Sequence, residues 1–266
     1  MSLVNRIGTD RWRFTAMYTV VSIVVPHASD GVDALIAGIV DDFAGIEAKL
    51  SVFRADSEIS RWSRGELPDG DLSSDTRQVI AACDDLDERT GGLFSARHSD
   101  GYDTTGYIKG WALARAGQAL DQAGVGSYCI NAGGDIVARG LNQTGEPWRI
   151  GLAHPYRSGE LATVVTTIPG DDRPMAVATS GTSERGQHIV QPSTGWRPVN
   201  SSVTVIGHDI ALADAIATAA LAAGEAGPSA SAALIRRFGM EGFGFDEDRR
   251  PWWTDDLPSH ALLPRL

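Results

Sequence analysis

The stretch "CINAGGDIVARG" (residues 129–140) places an apolar run on each side of an Asn-Ala-Gly-Gly-Asp sequence. The runs at 127–131 and 135–139 predict strands, because apolar and β-branched residues bounded by glycine are typical of strands. A tight hairpin needs only one glycine, so the pair Gly133–Gly134 requires another reason. Without a Cβ, both residues let the backbone come close to a ligand or a neighbouring strand. Asp135 can fix the turn by accepting backbone hydrogen bonds, which predicts a scaffold and not a catalytic acid.

Helices and strands alternate on both sides of this stretch. Apolar residues at helical spacing predict helices, and β-branched runs predict strands. The expected helices cover residues 30–50, 74–90, 108–124, 208–224 and 231–239, with Asp209 as N-cap of the helix at 208–224. The expected strands cover residues 14–26 (one strand or a pair), 148–153, 160–168, 175–179, 187–191 and 201–206. Residues 93–107 are expected to be irregular. Because there is no regular βαβ repeat, the pattern predicts an α+β fold, with one domain over residues 1–266.

The composition excludes some classes of function. The chain has 266 residues, 34 acidic against 23 basic, and a net charge of −11. Nonspecific nucleic-acid binding is not expected, because phosphates need Lys and Arg to neutralise them. Two cysteines predict no disulfide framework and therefore a reducing compartment. With no signal peptide and no apolar run long enough to insert into a membrane, the protein is expected to be cytoplasmic.

The helix "ALADAIATAALAAG" (residues 211–224) is apolar on all sides and yet carries Asp214 and Thr218 one turn apart. A helix of this kind belongs in a core, where a carboxylate needs a partner. A carboxylate and a hydroxyl are hard oxygen ligands of the type that Mg²⁺ takes. The alternative is that Asp214 accepts backbone hydrogen bonds and Thr218 bonds back to a helix carbonyl.

Two further stretches contain candidate functional groups. The start of the helix in "DTTGYIKGWALARA" (residues 103–116) offers backbone N–H groups for an anion, and Lys109 can add positive charge. The alternative is an ordinary helix start with a surface lysine. His188 is a candidate general base, since its unperturbed pKa lies near neutrality, although a lone histidine is often structural. Since H-E-x-x-H, C-x-x-C, G-x-S-x-G and G-x-G-x-x-G are all absent, these residues do not name a substrate.

Taken together and in order, eight stretches resemble the ApbE family of FAD:protein FMN transferases. They are "TAMYTVVSIVV", "SVFRADSEISRW", "GGLFS", "DTTGYIKGWALARA", "CINAGGDIVARG", "WRIGLAHP", "AVATSGTSERG…HIVQPSTGWRP" and "SVTVIGHDIALADAIATAALAAG", and they span roughly residues 15–224. The resemblance implies an ApbE-like (T-fold-like) α+β fold with mixed sheets, packed helices and duplicated βαβ-type halves, with FAD bound between them. The glycine turn would then be a scaffold under the flavin site.

The resemblance also implies a reaction. Family enzymes use Mg²⁺ to split FAD, join FMN through its phosphate to a Thr or Ser hydroxyl of a target flavoprotein, and release AMP. Carried over by motif, the metal ligands would be the carbonyl of Gly106 and the side chains of Asp214 and Thr218. His188 would be the base for the acceptor hydroxyl. The flavin nucleotide would contact Met17, Phe53, Leu93, Phe94, Ser95, Asp103, Lys109 and Val190.

Several positions depart from the family pattern. Tyr18 stands where glycine is usual, the run Phe94–Arg97 loses an acid, Ala114 replaces an aspartate, and Gln191 replaces the acid near the histidine. Three activities therefore stay open. They are FMN transfer, hydrolysis of FAD to FMN and AMP, and FAD binding without catalysis.

Overall fold

The structure is a computed structural model that describes residues 4–98, 101–182, 194–196, 198, 202–257 and 261–262. Within those residues, nine strands form one sheet in the order β1-β2-β3-β6-β7-β10-β11-β12-β13, and every neighbouring pair is antiparallel. These strands are β1 (Asn5–Ile7), β2 (Arg11–Ala16), β3 (Thr19–Val24), β6 (Tyr128–Ala132), β7 (Asp135–Arg139), β10 (Met175–Gly181), β11 (Ser202–Gly207), β12 (Glu241–Phe245) and β13 (Pro251–Trp253). Two hairpins lie apart from it, β4 (Arg97–His98) with β5 (Gly101–Tyr102), and β8 (Arg149–Ala153) with β9 (Leu161–Thr166).

Six α-helices are described, and local sequence explains where several begin and end. They are α1 (Val32–Leu50), α2 (Glu58–Ser63), α3 (Ser74–Thr90), α4 (Thr105–Gln122), α5 (Ile210–Ala223) and α6 (Pro228–Arg237). The Ser73 side chain accepts a hydrogen bond from the Thr76 N–H at the start of α3, and Gly91 ends this helix with a φ of 66°. The Asp209 side chain accepts from the N–H groups of Ala211 and Leu212, which confirms it as the N-cap of α5.

The chain contains two similarly built halves. In the first half, β3 leads through helices to its antiparallel neighbour β6; in the second, β11 leads through α5 and α6 to its antiparallel neighbour β12. Each of these strand–helix–strand units is extended by hairpin partners, β2 and β7 in the first half and β10 and β13 in the second. The α+β class predicted from the sequence is therefore confirmed.

The two faces of the large sheet are covered differently. Helices α1, α4 and α5 pack on one face, where they enclose the main core. The β8–β9 hairpin covers the other face, where Ile150, Leu152 and Val165 pack with Ile136 and Val177. Since neighbouring residues in a strand point to opposite faces, β7 and β10 supply side chains to both layers. The strands that form the middle of the sheet are therefore buried on both sides.

Most of the elements expected from the sequence are present, with some differences. The helix at 74–90 matches exactly, and the stretch 14–26 holds most of a strand pair. The stretch 93–107 is less irregular than expected, because it contains the short hairpin β4–β5 and the first turn of α4. Strands β12 and β13 were not expected; glycines and tryptophans gave this segment no clear alternation. The expected strand at 187–191 lies outside the described residues.

Candidate functional site

A cleft of about 580 Å³ opens at one end of the large sheet. It lies where the β6–β7 turn, the end of β10 and the start of β11 meet the first turn of α4 and the face of α5 that carries Asp214 and Thr218. The residues that line it and that carry the argument below are Phe53, Asp103, Gly106, Lys109, Gly133, Ser180, Asp214 and Thr218. Both halves of the chain therefore contribute to one cleft.

A lysine between two buried carboxylates forms the polar centre of this cleft. The Lys109 Nζ lies 2.6 Å from Asp135 Oδ2 and 3.9 Å from Asp214 Oδ1. The Asp135 side chain is 1% exposed and the Asp214 side chain 6%. Burying a carboxylate is costly unless it is paired, so the ammonium group offsets the desolvation of both acids. The other Asp135 oxygen accepts a hydrogen bond of 3.1 Å from the Thr179 N–H, which joins β7 to the end of β10.

Close packing of α4 against α5 positions Asp214. The Gly110 N–H donates a hydrogen bond of 2.9 Å to Asp214 Oδ2. A Cβ on Gly110 would lie 2.5 Å from the carbonyl oxygen of Ile210 and 2.8 Å from the Cβ of Asp214. Only glycine therefore allows the two helices to come this close. In a regular α-helix the Gly110 N–H would donate a hydrogen bond to the carbonyl of Gly106, so Asp214 competes with that carbonyl for the same donor.

Hydroxyl groups lie beside the carboxylates. Ser180 Oγ, at the end of β10, is 3.2 Å from Thr218 Oγ1 on α5. A Cβ added to Gly106 would lie 3.6 Å from the same Thr218 oxygen, so the start of α4 faces Thr218 directly. Gly106, Asp214 and Thr218, the three residues of the metal set implied by the resemblance, therefore line the same cleft.

The glycine turn from 133 to 134 connects β6 and β7, and its geometry explains why it contains two glycines. Ala132 pairs with Asp135, so the two glycines form the whole turn, with φ values of 60° and 97°. Such turns favour glycine because both central residues need a positive φ. A Cβ on Gly133 would lie 2.6 Å from Thr19 Oγ1 of the neighbouring hairpin, whereas one on Gly134 would meet no atom within 4 Å.

Asp135 does not fix this turn, contrary to the expectation from the sequence. The Asn131 side chain does so instead, because its Oδ1 accepts a hydrogen bond of 3.0 Å from the Gly134 N–H. Asp135 points to the helix-covered face of the sheet, where it reaches Lys109 and the end of β10. The acid after the turn is thus part of the polar centre of the cleft.

The structure brings most of the predicted flavin contacts to the cleft. Phe53, Leu93, Ser95, Asp103 and Lys109 line it. The Asp103 Oδ1 also accepts a hydrogen bond of 2.8 Å from the Thr105 N–H, so this acid orders the start of α4. The Ser95 hydroxyl donates a hydrogen bond of 2.6 Å to Asp87 Oδ2.

Two of the predicted contacts do not line the cleft. Phe94 is 3% exposed and packs beneath the start of α4, with its ring 3.1 Å from the position of a Cβ on Gly106. Its neighbours Leu93 and Ser95 line the cleft, whereas Phe94 packs behind them and supports the cleft wall. Met17 lies in the β2–β3 turn, where its N–H donates to Glu47 Oε2 and its side chain packs against the main core. His188 and Val190 lie outside the described residues.

Two residues that line the cleft, Ser180 and His154, had no role assigned from the sequence, and Asp135 was assigned to the turn. Asp135 contacts Lys109, Ser180 contacts Thr218, and His154 lines the wall formed by the β8–β9 hairpin. The His154 Nδ1 accepts a hydrogen bond of 3.2 Å from the Tyr156 N–H, which leaves the proton on Nε2 in the neutral ring. Strand alternation was a usable signal for Asp135, since it shares a face with Val137.

Neither cysteine is suited to nucleophilic catalysis. Both thiols are free. Burial raises the pKa of Cys83 to about 12 and that of Cys129 to about 12. Because the thiolate is the reactive form, both side chains remain protonated and unreactive near neutral pH.

Two features are absent from the described residues. No three or more His, Cys, Asp or Glu side chains lie together there in an arrangement that could hold a metal. Among the helices described above, none has the length and hydrophobicity needed to cross a membrane.

Comparison with known sequences gives consistent matches. A family model described as the ApbE family matches residues 17–100 and 97–242. A FAD:protein FMN transferase of Vibrio cholerae is 36% identical over 135 residues, which are 46% of this chain and 39% of that protein. One from Escherichia coli strain K12 is 29% identical over 143 residues, or 50% of this chain and 38% of that protein. The matched part therefore spans about two fifths of the length of these relatives.

Comparison with solved structures extends over the whole fold. An ApbE protein from Thermotoga maritima superposes with a TM-score of 0.80 at 22% identity and covers 98% of this chain and 99% of its own. The apo form of Pseudomonas stutzeri flavinyl transferase ApbE has a TM-score of 0.76 at 22% identity, with 97% of each chain covered. At this level of identity the likeness establishes the fold.

Proposed function

The chain belongs to the ApbE family, and on that premise we propose that it is a FAD:protein FMN transferase. The observation that carries this proposal is that Lys109, Asp214, Thr218 and Ser180 converge on one cleft between the two halves of the chain. A lysine and hydroxyl groups beside the start of a long helix suit a pyrophosphate group. We also propose that residues 1–266 form one domain, since a single sheet runs through both halves.

The residues of the cleft fit a bound Mg²⁺ ion. The side chains of Asp214 and Thr218 and the carbonyl of Gly106 offer the hard oxygen ligands that Mg²⁺ prefers. In a regular helix the Gly110 N–H would donate to the Gly106 carbonyl, but here it donates to Asp214. This competition for the N–H supports the Gly106 carbonyl as a metal ligand. When bound, Mg²⁺ would supply charge neutralisation for the pyrophosphate.

The proposed reaction is a phosphoryl transfer from FAD to a Thr or Ser hydroxyl of an acceptor flavoprotein. The acceptor oxygen forms a bond to the phosphorus of the FMN half, and the bond from this phosphorus to the bridging oxygen breaks. The bridging oxygen leaves with AMP, and the hydroxyl proton passes to a base. His188 is the proposed base.

Lys109 is the residue of this chain that would hold the pyrophosphate. Its ammonium group is fixed by Asp135 at 2.6 Å, so little rotamer entropy remains to be lost when an anion binds. Ser180 and Thr218 offer hydroxyl groups at the same place. The groups that would meet the charge developing on the phosphoryl oxygens are therefore set in place by folding, before substrate arrives.

The experiment is to incubate the protein with FAD, Mg²⁺ and peptides that carry a single Thr or Ser at randomised sequence positions. Transfer predicts a peptide that gains the mass of FMN less water, with one AMP released for each peptide labelled. Release of FMN and AMP without a labelled peptide would instead indicate a hydrolase. Intact FAD after hours with Mg²⁺ would indicate a binding protein without catalysis. Asp121→Asn serves as the matched control, because Asp121 pairs with Arg139 and does not line the cleft.

A further inference from the structure

Two aromatic side chains stand exposed at the mouth of the cleft. Tyr18 is 69% exposed and Phe53 is 70% exposed, although large apolar groups normally gain stability by burial. Their ring centroids are 5.2 Å apart with an interplanar angle of 80°, which is the edge-to-face arrangement that aromatic pairs prefer. Phe53 lines the cleft and Tyr18 contacts it from the β2–β3 turn. The pair forms an apolar rim to a polar cleft.

The backbone at Tyr18 is strained. Ala16 pairs with Thr19, so Met17 and Tyr18 form the whole turn, with φ values of 50° and 60°. Residues with a side chain rarely adopt this conformation, and turns of this kind favour Asn and Gly. The neighbouring turn from 133 to 134 has positive φ values at both positions and uses two glycines. A turn selected only for stability would not carry a tyrosine here.

Strain that is kept in a native structure is a reason to look for a function at that residue. The Tyr18 ring gains little from the fold, because most of its surface faces solvent. A ligand that fills the cleft with its phosphates at Lys109 leaves its ring system to be bound elsewhere, and the rim offers apolar faces for it. Stacking on an aromatic ring is the interaction that an exposed edge-to-face pair can still provide.

We propose that Tyr18 determines affinity for the flavin half of the substrate, by stacking with Phe53 against the isoalloxazine ring. This inference rests on the proposed function, since it requires FAD as the ligand. It concerns the flavin ring and not the adenine, because Tyr18 contacts Phe53, which the family resemblance implies is a flavin contact. Tyr18 is thus a specificity-determining residue whose side chain costs stability and supplies binding.

The test compares Tyr18→Gly, Tyr18→Asn and Tyr18→Phe by titration of FAD, FMN and ADP, with affinity followed by flavin fluorescence and by calorimetry. Glycine and asparagine accept the left-handed backbone but lack the ring, whereas phenylalanine keeps the ring. We expect the Kd for FAD and FMN to rise about three- to tenfold in the first two variants and to stay within about twofold in Tyr18→Phe. The Kd for ADP should not change. The Tm of Tyr18→Gly should rise by about 2 °C, because the strain is removed.

His27→Gly is the matched control. His27 also has a positive φ, 53°, and it lies beyond the opposite end of β3. This variant should gain similar thermal stability with no change in FAD affinity. The proposal is overturned if Tyr18→Gly binds FAD and FMN as the wild type does, if it weakens ADP instead, or if Tm and affinity fall together. If the wild type itself binds neither FAD nor FMN, the proposed function fails together with this proposal. If the wild type binds both and Tyr18→Gly binds them equally well, only this proposal fails.

Discussion

The inner wall of the cleft and its rim differ in how far their side chains are buried and paired. The inner wall, defined here as the lining residues Lys109, Asp214, Thr218 and Ser180 together with Asp135 behind Lys109, is largely buried, and its charged groups are paired. The rim, defined as Tyr18 and Phe53, is about 70% exposed, and its Tyr18 belongs to a strained turn. Folding therefore supplies the interactions of the inner wall in advance, whereas the interactions of the rim are left for a ligand.

The two adjacent hairpin turns express the same difference. The turn at Gly133–Gly134 lies close to Thr19 and leads directly into Asp135, so it has no space for a side chain at its first position. The turn at Met17–Tyr18 also has positive φ values but projects a side chain to solvent. Glycine is used where the backbone supports buried charges, and an aromatic residue where a surface is offered.

The largest effect is expected from Asp214→Ala, which removes the carboxylate of the inner wall. Loss of the proposed metal ligand and of a partner for Gly110 N–H should reduce the proposed FMN transfer by roughly 10³-fold, because charge stabilisation at the phosphoryl group is lost. Asp214→Asn retains an acceptor for that N–H and should fold better while remaining inactive. Turnover and Mg²⁺ dependence measured by AMP release check this; unaltered turnover in both variants would remove the metal assignment.

A second large effect is expected from Gly133→Val, which places a branched side chain in the turn under the inner wall. Strain at a φ of 60° and the contact with Thr19 should together lower the free energy of unfolding by about 3 kcal/mol. Gly134→Val is the control, since a Cβ at this position meets no atom within 4 Å and the change adds mainly backbone strain. Urea unfolding and FAD titration measure both properties. Unchanged stability and flavin binding in Gly133→Val would contradict the scaffold role of this turn.

A smaller effect is expected from Asp135→Asn, which keeps the size of the side chain but removes its charge. Without the charge, Lys109 is no longer held at Asp135 and can turn toward Asp214. Mg²⁺ affinity and transfer should fall about 10- to 100-fold, as for partners that orient a ligand. Calorimetric Mg²⁺ titration separates this from unfolding, with Asp121→Asn as control. Equal Mg²⁺ affinity in the variant and the wild type would show that Asp135 serves the fold alone.

The smallest effect is expected at the rim. Phe53→Ala should raise KM for FAD by about three- to tenfold through loss of an aromatic contact, with kcat unchanged. Its Tm should stay within about 1 °C of the wild type, because the ring is mostly exposed. Steady-state kinetics checks the split between KM and kcat. A loss in kcat equal to the loss at the inner wall would erase the distinction between the two regions.

The sequence predicted the elements of the fold better than it predicted the partners of its polar residues. Periodicity and caps located helix α3 to the residue and identified Asp209 as an N-cap. The contact of Lys109 with Asp135 joins residues far apart in the chain, so no local pattern could show it. The same holds for Ser180 with Thr218, which meet only because β10 packs against α5.

Individual predicted contacts show how far a motif can be carried over. Phe94 lies in the right segment but faces the core, because only alternate residues of that segment reach the cleft. Asp214 and Thr218, one turn apart on α5, both line the cleft as expected from helix geometry. Side-chain direction was therefore predictable on a regular helix and was not predictable in a loop.

The most direct test of the account is a crystal structure of this protein soaked with FAD and Mg²⁺. The account predicts the pyrophosphate in contact with Lys109, a cation held by Asp214, Thr218 and the Gly106 carbonyl, and the isoalloxazine ring against Tyr18 and Phe53. Nucleotide bound away from this cleft, or an ordered nucleotide in it with no cation at Asp214, would contradict the central claim that the inner wall is a phosphoryl-transfer site.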